Sequence, residues 1–251
     1  MRESARLLCQ LFDALQPMIV AGTTTQELDD FCQKKMLEME LISGALGYHG
    51  FPKSICTSIN SVVCHGIPDN QQLKNGDIIS IDIAVSHRGY FADSCRTYAI
   101  GEVLPKYQNL IKITRETMWS AIEIIKSGIP IGTLSAAMQK CAERFSCNVI
   151  RDFCGHGIGR KMHEEPSIPF FGQVNRGEVL KSGMFITIEP MVTLGKPNIT
   201  ILDDQWTAIM SDGQYAAQFE HTVAVLDHGY EVLTFNAEDA LFGKIPSKKI
   251  I

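Results

Sequence analysis

The chain has no C-x-x-C pair, no Gly/Ser- or proline-rich linker, no block of like charge and no apolar run long enough to span a bilayer. Each absence removes a class of protein. Without a linker, residues 1–251 are expected to form a single domain with a sizeable core. The eight cysteines (9, 32, 56, 64, 95, 141, 147 and 154) are expected to act as small apolar residues, because a chain of 251 residues folds without disulfides. A reducing, cytoplasmic setting is expected. Between Met1 and Val20 the apolar residues Leu7, Leu8, Leu11, Phe12, Leu15 and Ile19 are interrupted by Gln10, Asp13 and Gln16. That is the pattern of an amphipathic helix, and not of a signal peptide. Twenty-three basic against 28 acidic residues, net charge −5, leave no basic patch, so neither nucleic acid nor a membrane surface is an expected direct ligand.

What is there is organised around one stretch. In Ile78-Ile79-Ser80-Ile81-Asp82-Ile83-Ala84-Val85 the residues Ile79, Ile81, Ile83 and Val85 alternate with Ser80, Asp82 and Ala84. This period-two pattern predicts a strand with two unlike faces, with Asp82 away from the isoleucines. A turn at Ser86-His87-Arg88-Gly89 leads into Tyr90–Tyr98. If the hairpin closes symmetrically, Val85 lies opposite Tyr90 and Asp82 opposite Asp93. Carboxylates in directly opposed positions, with β-carbons about 4.5–5.5 Å apart, either share a proton or hold a cation. A one-residue slip would instead send one aspartate to solvent.

A second copy strengthens the cation reading. Leu73-Lys74-Asn75-Gly76-Asp77-Ile78-Ile79-Ser80-Ile81-Asp82 is echoed by Leu180-Lys181-Ser182-Gly183-Met184-Phe185-Ile186-Thr187-Ile188-Glu189, with an acid at the same terminal position. Upstream, Gly22–Leu28 resembles Gly128–Leu134 at almost the same offset. Two similar halves are expected, about 1–105 and 106–234, each offering a carboxylate to a cleft between them.

The rest of the chain fits around these strands. Thr23-Thr24-Thr25 can cap a helix from near Gln26, and helical spacing returns over Tyr107–Lys126 and Thr133–Phe145. Ser43–Pro52, rich in glycine and aromatic residues, suits a pocket rim. Ile55–Cys64 reads as one strand, ended by His65-Gly66-Ile67-Pro68. A lone histidine after a strand, as His65 is, is more often structural than functional, although Gly66 leaves room for a ligand to approach it. In Cys154-Gly155-His156-Gly157-Ile158-Gly159 the glycines clear side-chain bulk from around His156, which is costly for a space-filling residue. Gln218–Leu226 reads as one strand with Glu220 on the face opposite Phe219, Val223 and Val225.

The candidates are therefore Asp82, Asp93, His156, Glu189 and Glu220. Two like unit charges 4 Å apart cost about 4 kcal/mol at an effective dielectric near 20, so four converging carboxylates need neutralising. Two divalent cations would do so. Oxygen donors with one imidazole suit manganese, iron(II), cobalt or zinc better than magnesium. A pair of such ions about 3.5–4 Å apart polarises a carbonyl and activates water, so metal-assisted hydrolysis is the expected chemistry.

Together, Cys64-His65-Gly66-Ile67-Pro68, the Asp82/Asp93 hairpin, Gly155–Arg160 with His163-Glu164-Glu165-Pro166, Ile188-Glu189-Pro190-Met191 and Phe219-Glu220-His221-Thr222 resemble the type I methionine aminopeptidases of bacteria. The resemblance runs from the first helix to about Thr234. It implies the pita-bread fold: a pseudo-twofold α/β (α+β) arrangement, with a curved antiparallel sheet backed by helices. It implies a cytosolic, monomeric enzyme that removes the initiator methionine of nascent polypeptides when the second residue is small, with the ribosome as a further partner. By that similarity the five candidates are metal ligands, Asp82 also lies near the substrate's amine, and Glu189 is the proton shuttle. His65 and His163 match the two histidines that hydrogen-bond the scissile amide and its developing oxyanion. The methionine pocket is implied at Ala45, Tyr48, Phe51, Cys56, Met162 and Trp206. Family members usually have Cys at position 45, Tyr at 51 and Phe at 162, so pocket shape is where this chain departs. They also carry a short segment before the first helix, so Met1 is a candidate late start, with that edge of the fold less covered. Phe235–Ile251 has no counterpart, and a solvated end is expected there. Two other functions are compatible with the same fold. One is a proline-specific aminopeptidase or prolidase, whose members carry a large extra N-terminal domain. The other is a peptide-binding module without chemistry, whose degenerate members lose ligands that are all present here.

Overall fold

A computed structural model describes residues 1–249. The central element of the N-terminal half is the strand Ile78–His87. Cys56–Ile59 and Ile42–Ser43 pair along one edge and Tyr90–Ala99 along the other, all antiparallel. Its odd-numbered face carries Ile79, Ile81, Ile83 and Val85, all fully buried, in one core with Leu8, Leu11, Phe12 and Leu15 of the helix Arg2–Leu15. Burial of each such side chain is worth roughly 1.5–3 kcal/mol, which fixes which face of the strand looks inward. The even-numbered face, with Asp82 and Ala84, is left for the cleft. The second helix, Thr25–Glu38, starts at a capping box in which Thr24 and Glu27 exchange bonds.

The hairpin differs from the symmetrical closure expected. Arg88 and Gly89, at φ 51° and 78°, make a two-residue turn, the kind that matches strand twist. The strands therefore run on to His87 and Tyr90, which pair directly. Val85 lies opposite Ala92, Asp82 opposite Cys95 and Asp93 opposite Ala84. The shift is by an even number of residues, so both aspartates stay on the cleft face, as diagonal neighbours and not as an opposed pair.

Two other expected strands are interrupted. Ile55–Cys64 turns at Asn60, φ 57°, giving Cys56–Ile59 and Val62–Cys64, and the latter pairs in a different sheet with Ala208–Met210. Gln218–Leu226 breaks at Phe219-Glu220: Ala216–Gln218 pairs with Met191–Thr193, and His221–Leu226 with Phe185–Ile188. The register is the same on both sides of the break, with Ile188 opposite His221 and Met191 opposite Gln218, so Glu189 falls across from Glu220. Pro190 has no N–H to continue the ladder. The Glu220 N–H is spent on the carbonyl of Cys95, 2.9 Å away.

The internal repeat has a direct structural counterpart. Gly22 donates to the Leu73 carbonyl and Leu73 to that of Thr23; Gly128 donates to Leu180 and Leu180 to Ile129. Isolated bridges at Thr24–Gln72 and Pro130–Val179 stand in equivalent places, each just before a helix, Thr25–Glu38 or Ile131–Arg144. A second core, around Trp119, Phe170, Ile186, Val223 and Tyr230, packs the helices Pro105–Ile122 and Ile131–Arg144 on the other sheets.

The C-terminal segment is solvated as expected over residues 241–243 and 245–248, but it is anchored to the fold by a short helix. Asn236 caps the short helix Ala237–Leu241, whose Asp239 is buried against His221 Nε2 at 3.1 Å and Trp119 Nε1 at 3.3 Å. Lys244 binds Glu123, and Ser247–Lys249 pairs with Gly229–Glu231. Residues 250–251 lie outside the described part.

Candidate active site

All five acid and imidazole candidates come from interrupted or cleft-facing strands that meet at one seam. Across it Ser94 Oγ donates to the Glu220 carbonyl (2.8 Å) and Thr97 Oγ1 to that of Gln218 (2.6 Å). The Thr222 hydroxyl donates to the Asp93 carbonyl (2.8 Å). Ligand atoms of Asp93, His156 and Glu220 lie within 4.8 Å of one another. Glu189 Oε1 is 3.5 Å from His156 Nε2, and Asp82 and Asp93 reach the same cleft.

The electrostatics are those of negative charge crowded in a dry place. Burial, then the neighbouring Asp93 and Glu189, push Asp82 well above the usual carboxylate range. Burial with Asp93, Glu189 and Asp82 does the same to Glu220. Burial raises Asp93 to about 6 and Glu189 to about 8, the latter opposed by the Thr187 hydroxyl. Asp93 Oδ1 and Glu220 Oε1 are buried with no hydrogen-bond partner among the described residues. An orphaned buried carboxylate oxygen is expensive, and here the same two carboxylates stand with an oxygen each within 4.8 Å of an imidazole nitrogen. The nest fits a divalent cation.

The imidazole is prepared for one. His156 Nδ1 lies 2.9 Å from the Gly157 carbonyl, which can only accept, so Nδ1 carries the proton and the Nε2 lone pair faces Glu189. Burial, then His163, lower His156 to about 4, so the ring is neutral at pH 7. Thr187, fully buried, ties two candidates together: its hydroxyl accepts from the His156 N–H (2.8 Å) and donates to Glu189 Oε1 (2.7 Å). Gly155 and Gly157 are required, because a Cβ there would lie 2.6 and 2.2 Å from the carbonyls of Thr187 and Glu165.

Beside the acids opens a cavity of about 140 Å³ lined by Ala45, Tyr48, Phe51, Cys56, His65, Ala84, Met162, His163 and Trp206, with Asp82 and Asp93 at its end. Cavities of about 150 Å³ take one benzene-sized group. Phe51 and Trp206 meet edge to face at 5.1 Å. The Asp204 carboxylate holds the Trp206 loop by accepting from the N–H groups of Trp206 and Thr207 and from the Thr207 hydroxyl. His65, at φ 54°, packs on Phe153 and Trp206; burial, then His163, lower it to about 4, so it is neutral. His163 Nδ1 meets the Tyr48 hydroxyl at 2.7 Å, and its ring lies 4.3 Å from that of His156.

Every residue singled out from the sequence thus lines this cleft or its carboxylate floor. Ala84, Thr187 and Gln218, whose amide reaches Glu189 Oε2 at 3.4 Å, were missed. Ala84 had a signal, its place two residues from Asp82 on one face. Thr187 and Gln218 had none, since their partners come from the tertiary fold.

The fold and the acid-lined cleft define a metallopeptidase. Residues 1–227 match the metallopeptidase family M24, and the chain belongs to that family. It is 46% identical to methionine aminopeptidase A of Synechocystis over 93% of each chain. To the methionine aminopeptidase of Escherichia coli K12 it is 41% identical, over 96% of this chain and 92% of that one. The crystal structure of the methionine aminopeptidase from Rickettsia prowazekii superposes with a TM-score of 0.92 at 41% identity, covering 93% of this chain and 95% of that one. The fold alone is shared with a prolidase from Pyrococcus horikoshii: TM-score 0.72, 21% identity, 94% of this chain but 60% of the prolidase. No described helix is long and apolar enough to cross a membrane.

Proposed function

We propose that this chain removes the N-terminal methionine from new polypeptides by metal-assisted hydrolysis. The observation that carries the reading is a one-side-chain apolar cavity lined at one point by the half-buried Asp82 and the buried Asp93. Such a site measures a single uncharged first residue and meets its free amine with acid. Asp82, Asp93, His156, Glu189 and Glu220 would hold two divalent ions, drawn from manganese, iron(II), cobalt or zinc. When bound, these ions polarise the scissile carbonyl and lower the pKa of water.

The remaining work falls to side chains. Asp82, at the junction of cavity and floor, orients the substrate ammonium. Glu189 takes a proton from the attacking water on its carboxylate and returns it to the departing amine. Its partners Thr187 and Gln218 hold the carboxylate in one orientation for both transfers. His65 and His163 are neutral hydrogen-bonding groups over the scissile amide, the second kept in place by Tyr48. Phe51, Trp206 and Met162 exclude water from the methionine side chain.

Cleavage rates on Met-Ala-Xaa and Xaa-Pro peptides test the reading: release of methionine from the first is expected to dominate, and a preference for the second would reassign the chain to the proline-specific enzymes. His65→Ala is expected to lower kcat by roughly 10²–10³-fold, the loss of one hydrogen bond to developing charge. Calorimetric metal uptake should remain close to that of the parent chain. Collapse of uptake would place His65 among the ligands.

A further inference from the structure

We propose that Gly44 sets the depth of the first-residue pocket by seating Met162, so that this chain gauges its substrate with a deformable thioether wall. The proposal rests on the pocket assignment above. Ser43 pairs with Val85, and the Gly44 N–H donates to the Ala84 carbonyl at 2.8 Å, so the ladder continues and places Gly44 across from Ala84. That is the face that carries Asp82 and the cavity. A Cβ built on Gly44 would lie 2.8 Å from Met162 Sδ and 2.8 Å from the Ala84 Cβ. The sulfur of Met162 therefore occupies the volume that any side chain at position 44 would take. Gly44 is outside the positive-φ region, so the demand for glycine here is one of space and not of backbone conformation.

The neighbours leave the wall with little else. Ala45 and Ala84 contribute a methyl each to the lining, and Met162, 8% exposed, supplies the long apolar surface between them. An unbranched thioether with three rotatable bonds adjusts to its contents as a ring does not. Its resting position is set from behind, by the hollow at Gly44. Filling that hollow drives Sδ into the cavity and shortens it. Removing the thioether lengthens it.

The test measures kcat/KM on three peptides, X-Ala-Ser, in which X is methionine, S-methylcysteine (one methylene shorter) or ethionine (one methylene longer). Metal-loaded parent chain is compared with Gly44→Ala, with Gly44→Ala/Ala84→Gly, with Met162→Ala and with Gly44→Ala/Met162→Ala. The Ala84→Gly partner removes the Cβ–Cβ contact that no side-chain rotation can relieve, so this pair carries the result if Gly44→Ala alone does not fold. One methylene in an apolar pocket is worth about 10-fold or more. Filling position 44 is expected to lower the methionine to S-methylcysteine ratio by about that factor, mainly through KM. Met162→Ala is expected to raise the ethionine to methionine ratio by a similar factor. In Gly44→Ala/Met162→Ala the added methyl has no sulfur to displace, so the two changes should be non-additive.

Unchanged ratios in Gly44→Ala/Ala84→Gly, or strict additivity of Gly44→Ala with Met162→Ala, would overturn the proposal. A parent chain that does not prefer methionine would instead overturn the pocket assignment itself.

Discussion

Replacing Glu189 by alanine or glutamine is expected to lower kcat by about 10²–10⁴-fold, the range for loss of a positioned acid–base group, while the chain stays folded. Folding should survive because the residue is one of four crowded acids, and its removal relieves Asp82 and Glu220. The Thr187 hydroxyl still accepts from the His156 N–H, and the Gln218 side-chain amide loses only a long bond of 3.4 Å while the Gln218 backbone N–H stays on the Ser80 and Thr97 hydroxyls. Single-turnover methionine release and thermal unfolding, measured on the same preparation, separate the two effects. Turnover near that of the parent chain would remove Glu189 from its assigned role.

Chelation is expected to make stability fall as pH rises from 6.5 to 8. In the metal-free folded chain Glu189 titrates at about 8, and Asp82 and Glu220 stay protonated well above the usual carboxylate range. Unfolded, the same groups titrate near 4. The folded state therefore binds more protons than the unfolded state across this window, and the stability they contribute is lost as pH rises through the folded pKa values. The buried histidines work in the opposite sense: His65 and His156, lowered to about 4, gain stability with pH, but only up to about 6.5, where the unfolded imidazole has lost its proton. Above that pH the acids decide the slope. One carboxyl that remains protonated only in the folded state costs about 2 kcal/mol over 1.5 pH units, or about 4–8 °C at this chain length. Saturating divalent ion should reverse the loss, and more strongly at pH 8 than at 6.5, because it competes with those protons. Calorimetric scans of chelated and metal-loaded protein decide the matter; a chelated Tm that is flat or rises between pH 6.5 and 8 would refute the crowded-carboxylate account.

How much of this was legible in the sequence depended on which physical rule placed each residue. The cleft face of Ile78–His87 was readable from alternation alone, because four buried aliphatic residues admit one orientation of the strand. The pairing partner of Asp82 was not. Turn geometry at Arg88-Gly89 decides it, and both registers obey the same alternation. The breaks at Glu189-Pro190 and Phe219-Glu220 were hidden for a similar reason: register is conserved across them, so a count of alternating residues passes straight through a change of sheet. Pro190 was the visible sign. The pocket residues Tyr48, Phe51, Met162 and Trp206 came from resemblance and not from pattern, since they lie on loops whose convergence is a property of the whole fold. Asp239 was out of reach altogether, a charged residue in a short helix whose burial against His221 depends on a distant strand.

That last contact gives the C-terminus a bearing on the proposed metal site. His221 follows Glu220 directly, and its buried imidazole rests on a carboxylate, a tryptophan and the Thr234 hydroxyl. A chain shortened after Thr234 would keep every proposed ligand and still strip the buried Asp239 carboxylate from the residue next to one of them. Affinity tags and truncations at this end are accordingly expected to act on the proposed site, and are to be held constant whenever two preparations are compared.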